Sequence, residues 1–114
     1  ARFNDNLLDS TELLRMMDLS TDILKDVQVA FENENTILAR TIFSRDEVLD
    51  TINKKADERI ATYIQANPAG IHEALYALSI IRKLERVGDQ SKNIAEEIIF
   101  YFEAKVLKHQ KGLL

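Results

Sequence analysis

Asp46 and Asp50 stand four residues apart, and so do Glu85 and Asp89. On a helix that spacing places both members of a pair on one face. The chain turns back at Asn67-Pro68-Ala69-Gly70, with its midpoint between residues 68 and 69. If the helices on either side run straight, position 50 comes level with about 87 and position 46 with about 91. The two acidic pairs then lie within roughly one turn of the same height. Four carboxylates gathered there repel one another unless a cation stands among them. Oxygen-only donors suit hard or borderline cations: Mg, Ca, Mn, or iron and zinc with water completing the shell. Spacing leaves a second reading open, in which these are solvated acids paired with Arg45, Lys54, Arg82 or Arg86.

Other chemistry finds little support. Asp18, Asp22 and Asp26 repeat the four-residue spacing but lie opposite the expected Leu13–Leu24–Phe31 core face, as a solvent face does. His109 is expected at the surface and His72 to be structural or at the surface, and neither follows a Glu by three residues as in ferritin-like di-iron bundles. The chain has no Cys, no glycine-rich phosphate loop and no nucleophile motif around its Ser residues. Acid–base work by paired carboxylates needs one of them held protonated, and a partly exposed acidic cluster gives no reason to expect that. The chain is therefore expected not to be an enzyme.

Positioning these residues falls to a few long helices. Only three Gly and one Pro occur in 114 residues, so there are few places to turn. Breaks at Glu32–Asn35 and Asn67–Gly70 divide the chain into helices at about 6–32, 36–66 and 69–109, in a single domain spanning 1–114. Asn35-Thr36 opens the second. Apolar residues recur at helical spacing: Leu13, Met16, Met17, Ile23, Leu24, Val27 and Phe31 in the first, and Ile37, Ile42, Leu49, Ile52, Ala56, Ile60 and Tyr63 in the second. Short connections imply antiparallel neighbours, hence an all-α, up-down-up three-helix bundle with a very long third helix. In that third helix Ile71, Ala74, Leu75, Leu78 and Ile81 form one stripe, which Glu85, Asp89, Asn93 and Glu96 continue as a polar line. Leu84, Val87, Ile94, Ala95, Ile98 and Phe102 fall on the opposite side, a pattern that predicts two successive packing partners.

Composition narrows the classes further. At 46% hydrophobic and 30% charged residues the balance is that of an ordinary globular domain. A net charge of −4 argues against general nucleic-acid binding. No apolar run reaches a membrane span. No signal peptide is visible, and the chain opens Ala1-Arg2-Phe3 without Met, as an excised fragment does.

The stretch Leu84–Ile98, containing Glu85-Arg86-Val87-Gly88-Asp89 and then Asn93-Ile94-Ala95-Glu96, resembles the signature of the PhoU family. Asp46-x-x-x-Asp50 is similar to that family's partner motif, and the resemblance covers essentially the whole chain. Gly88 makes it specific, because mid-helix Gly is locally unfavourable. The resemblance implies multinuclear iron or zinc on the bundle surface, with Asp46, Asp50, Glu85 and Asp89 as ligands and Asn93 as a weaker one. It also implies a negative regulator of phosphate-starvation signalling, an adaptor between a phosphate ABC transporter ATPase and a membrane sensor histidine kinase. Such proteins are cytoplasmic, reach the inner membrane face through partners and dimerise. One repeat is present where the family has two, and the segment Tyr101–Lys105 is most like the second repeat. A C-terminal fragment or a single-repeat relative is expected, packing against a second repeat or a second copy. The alternatives are a PhoU-like cytosolic tail of a sodium–phosphate cotransporter, and a metal-free helical oligomerisation module.

Overall fold

Four helices and one short 3-10 turn make up the computed structural model, which describes residues 3–112. The start at Ala1 and Arg2 and the limits of the 1–114 domain lie outside the described residues. Helix α1 spans Asp5–Thr11, α2 Leu13–Glu32, α3 Thr36–Ala66 and α4 Ile71–Gly112, with the 3-10 turn at Pro68–Gly70. The bundle is all-α, elongated to 70 × 23 × 15 Å, and α4 runs its length.

The first of the three expected helices is in fact two. Glu12 between them adopts the left-handed conformation at φ 60°, and its backbone N–H donates to the Asp9 and Leu8 carbonyls. A left-handed residue at a helix end is common, but it is usually Gly or Asn. Here Arg15 and Arg59 hold the Glu12 carboxylate at 2.9 and 2.7 Å. Thr11 and Leu13, on either side of the break, are both buried. With no Gly or Pro at the bend, nothing in composition marked it.

The other limits follow their local chemistry. Asn35 caps α3, its side chain accepting from the Leu38 N–H at 2.9 Å. Asn67 and Pro68 stop α3 and start the turn into α4. The antiparallel α3/α4 register shows in cross-links along the pair: Arg82 with Asp57, Lys92 with Asp46, and Arg40 with Glu103.

Small residues set the core. Ala30, Ala39, Ala56, Ala74, Ala77 and Ala95 are fully buried beside Met16, Ile23, Ile42, Leu49 and Ile81. Close helix approach at those alanines pushes several larger residues expected inside to the outside. Met17, Leu24, Phe31 and Ile37 are exposed, and Ser20 and Ala30 occupy the buried stripe of α2 instead.

The expected change of face along α4 does not occur. One buried stripe runs through Ala74, Ala77, Ile81, Gly88, Ser91, Ala95, Ile98 and Phe102. It passes through Gly88 and Ser91, which apolar periodicity alone skips over. Ile71, Leu75 and Ile94, assigned to the two apolar faces, are exposed. Among the described residues no helix is long and apolar enough to cross a membrane.

Candidate metal centre

Where α3 and α4 lie against each other, one carboxylate oxygen from each of Asp50, Glu85 and Asp89 comes within 4.8 Å of the others. All three side chains are half-buried. Two helices supply them: Asp50 projects from the middle of α3, and Glu85 and Asp89 from successive turns of α4. The fold-back about Asn67–Gly70 therefore brings both acidic pairs to one height.

Asp46 occupies a different place. It is buried, at 5% exposure, and a Cβ on Gly88 would stand 2.6 Å from its Oδ1 and 2.6 Å from Leu49 Cδ1. The glycine is thus required by close approach: with no side chain, α4 settles directly onto Asp46 and Leu49. Lys92 Nζ lies 3.6 Å from Asp46 Oδ2 and 3.9 Å from Asp89 Oδ1, bridging the inner carboxylate to one of the outer three. Asn93, one turn beyond Asp89, is exposed, as is Glu96.

Electrostatics follow from this crowding. Partial burial pushes the Glu85 carboxyl up to about 7, reinforced by its hydrogen bond to Asp89 and by the charges of Asp89 and Asp50. Spacing alone gave no reason to expect a raised carboxyl here; burial beside two other carboxylates supplies one. The Asp46 carboxyl is also raised, mainly by burial, with Lys92 opposing and Asp89 and Asp50 adding to the shift.

The counter-charges differ from those expected. Lys54 stands 3.9 Å from Asp50, as the solvated reading requires. Arg45 instead reaches Asp26 at 2.7 Å, and Arg82 is taken up by Asn53 and Asp57. Lys92, not among the expected partners, follows Asp89 by three residues and lies level with Asp46 once the chain folds back. Asp18, Asp22, His72 and His109 are exposed, as expected, while Asp26 is half-buried against Arg45.

The donor set fits a hard or borderline cation. It is all oxygen, drawn from two rigid helices, and three negative centres share one small volume. Asp89 and Asp50 repel the Glu85 carboxylate, and a cation among the three would offset that repulsion.

The family model described as the PhoU domain matches residues 13–98, which carry every residue of this cluster. The chain belongs to the PhoU family. It is 29% identical over 99 residues to the phosphate-specific transport system accessory protein PhoU homolog 1 of Thermotoga maritima, covering 84% of this chain and 43% of that protein. A PhoU homolog of Caulobacter vibrioides is 33% identical over 100 residues, covering 88% of this chain and 44% of the relative. One of Pseudomonas putida is 28% identical over 98 residues, covering 86% and 38%. This PhoU-family chain thus spans less than half the length of the curated relatives it matches. No solved structure matches it.

Proposed function

We propose that this chain is a metal-binding module of a phosphate-uptake regulator. In this reading Asp50, Glu85 and Asp89 are the ligands and iron or zinc is the ion, in a mononuclear or multinuclear site, with Mg, Mn and Ca as the remaining choices. The convergence of those three carboxylates carries the proposal. Asp46 joins them only if Lys92 gives way, and Asn93 contributes at most through its amide oxygen. When bound, the metal supplies a fixed positive charge that ties α3 to α4 where the carboxylates otherwise repel. Glu85 would hold it as the carboxylate.

The relatives are named as accessory proteins of a phosphate-specific transport system. We infer further, from the resemblance to the PhoU family, that the protein restrains phosphate-starvation signalling at the cytoplasmic face, as an adaptor between the transporter's ATPase and a sensor histidine kinase. Its exposed α2 residues Leu14, Met17, Leu24 and Phe31 take a second three-helix unit of the same kind. The greater length of the relatives leaves room for another such unit, while the choice of the α2 face rests on its exposed apolar residues.

Metal analysis of protein purified without a metal-affinity resin tests the site. The wild-type chain is expected to retain iron or zinc, and the Asp50→Ala/Glu85→Ala variant to lose it. Equal metal content in both would remove these residues from the site.

A further inference from the structure

Lys92 stands between the buried Asp46 carboxylate and the cluster of Asp50, Glu85 and Asp89. Its ammonium stands 3.6 Å from Asp46 and 3.9 Å from Asp89, with the side chain 36% exposed. Asp46 itself is closed in by Gly88 and Leu49, so the side occupied by Lys92 is its charged contact with the cluster. A divalent ion on Asp50, Glu85 and Asp89 would meet that ammonium across a single carboxylate. At such separations the repulsion between a divalent ion and an ammonium exceeds thermal energy several-fold, even at the high effective dielectric of a protein surface. A lysine is suited to yield, because it carries a compact charge on a flexible four-carbon stem.

We propose that Lys92 is a tethered cation that competes with metal for this cluster: it neutralises Asp46 and Asp89 in the metal-free chain and is displaced from Asp89 when metal enters. The inference rests on the metal reading above. Metal occupancy thereby becomes legible on the surface as the release of one lysine. Any change that neutralises the Lys92 ammonium, acetylation included, raises the affinity of the site.

Zinc titration of the metal-free chain by calorimetry is the first test, with Lys92→Met and Lys92→Arg beside wild type. Lys92→Met is expected to bind zinc about tenfold more tightly, a change of about 1.4 kcal/mol. Lys92→Arg should stay within about threefold of wild type. Acylation of Lys92 by a water-soluble succinimidyl ester, followed by mass spectrometry, should run several-fold faster in the zinc-loaded protein. If Lys92→Met is unstable because Asp46 is left unpaired, the Asp46→Asn/Lys92→Met pair is compared with Asp46→Asn, and the same tightening is expected. Zinc binding by wild type with no gain in Lys92→Met, or in the pair over Asp46→Asn, would overturn the role of Lys92 alone. Unchanged acylation on loading would overturn it equally. No zinc binding by wild type would overturn the metal reading and this inference with it.

Discussion

Glu85 concentrates the physical tension of the cluster. Its carboxyl is raised from an ordinary 4.5 to about 7, first by burial and then by Asp89 and Asp50. A group with a higher pKa in the folded chain than in the unfolded one binds its proton more tightly when folded. Its contribution to stability is therefore complete below about pH 4.5 and lost as pH rises through about 7. Asp46 is raised as well and acts with the same sign. Urea unfolding of the metal-free wild type should show stability falling across that interval, and Glu85→Gln should flatten the fall. Zinc affinity should weaken below about pH 7, because binding must expel the Glu85 proton. Asp50, Glu85 and Asp89 were legible from the four-residue spacing and the position of the turn. The same spacing and turn place Lys92 beside Asp46 and Asp89, but the burial of Asp46 was not legible, since it depends on how closely α4 approaches α3 at Gly88.

That approach is a property of the two helices. Ala in place of Gly88 would improve helix propensity by about 1 kcal/mol. Its Cβ would stand 2.6 Å from both Asp46 Oδ1 and Leu49 Cδ1, so these two buried side chains, or α4 itself, would have to shift. Overpacking of this kind costs about 1–3 kcal/mol, and at 2.6 Å from two neighbours the upper end applies. Gly88→Ala is expected to lower unfolding stability by about 1–2 kcal/mol net and to weaken zinc binding by parting Asp50 from Glu85 and Asp89. Equal or greater stability would mean the helices are not held by this contact. At the same scale, the ends of α3 and the start of α4 were legible because Asn35, Asn67 and Pro68 act locally. The division of α1 from α2 was not, because it rests on a left-handed Glu12 where no Gly or Asn marks the bend, its carboxylate paired with Arg15 and the distant Arg59.

For the whole molecule, the helical class and the fold-back were plain in the breaks and the periodicity. Which apolar residues face inward was less so. Leu24 and Phe31 lie 51% and 62% exposed, on the flank of an α2 stripe whose interior is Ser20, Ile23, Val27 and Ala30. Periodicity marks an apolar sector without saying where neighbouring helices end. Leu14 and Met17 continue the exposed flank, which is the surface proposed to take a second three-helix unit. If a second three-helix unit covers it, the isolated chain should self-associate at raised concentration. Leu24→Glu/Phe31→Glu should then sediment as a monomer with unchanged helical circular dichroism. A wild-type chain that remains monomeric at millimolar concentration would argue against this use of the face.

The central claim is that α3 and α4 together build a cation site from Asp50, Glu85 and Asp89. Its most direct test is a calorimetric zinc titration at pH 7.5 of the wild-type chain, the single variants Asp50→Asn, Glu85→Gln and Asp89→Asn, and the control Asp18→Asn/Asp22→Asn. Each single variant should lose at least tenfold in affinity, equivalent to about 1.4 kcal/mol, while the control binds as wild type does. Wild-type affinity in all three single variants, or equal losses in the control, would contradict the site.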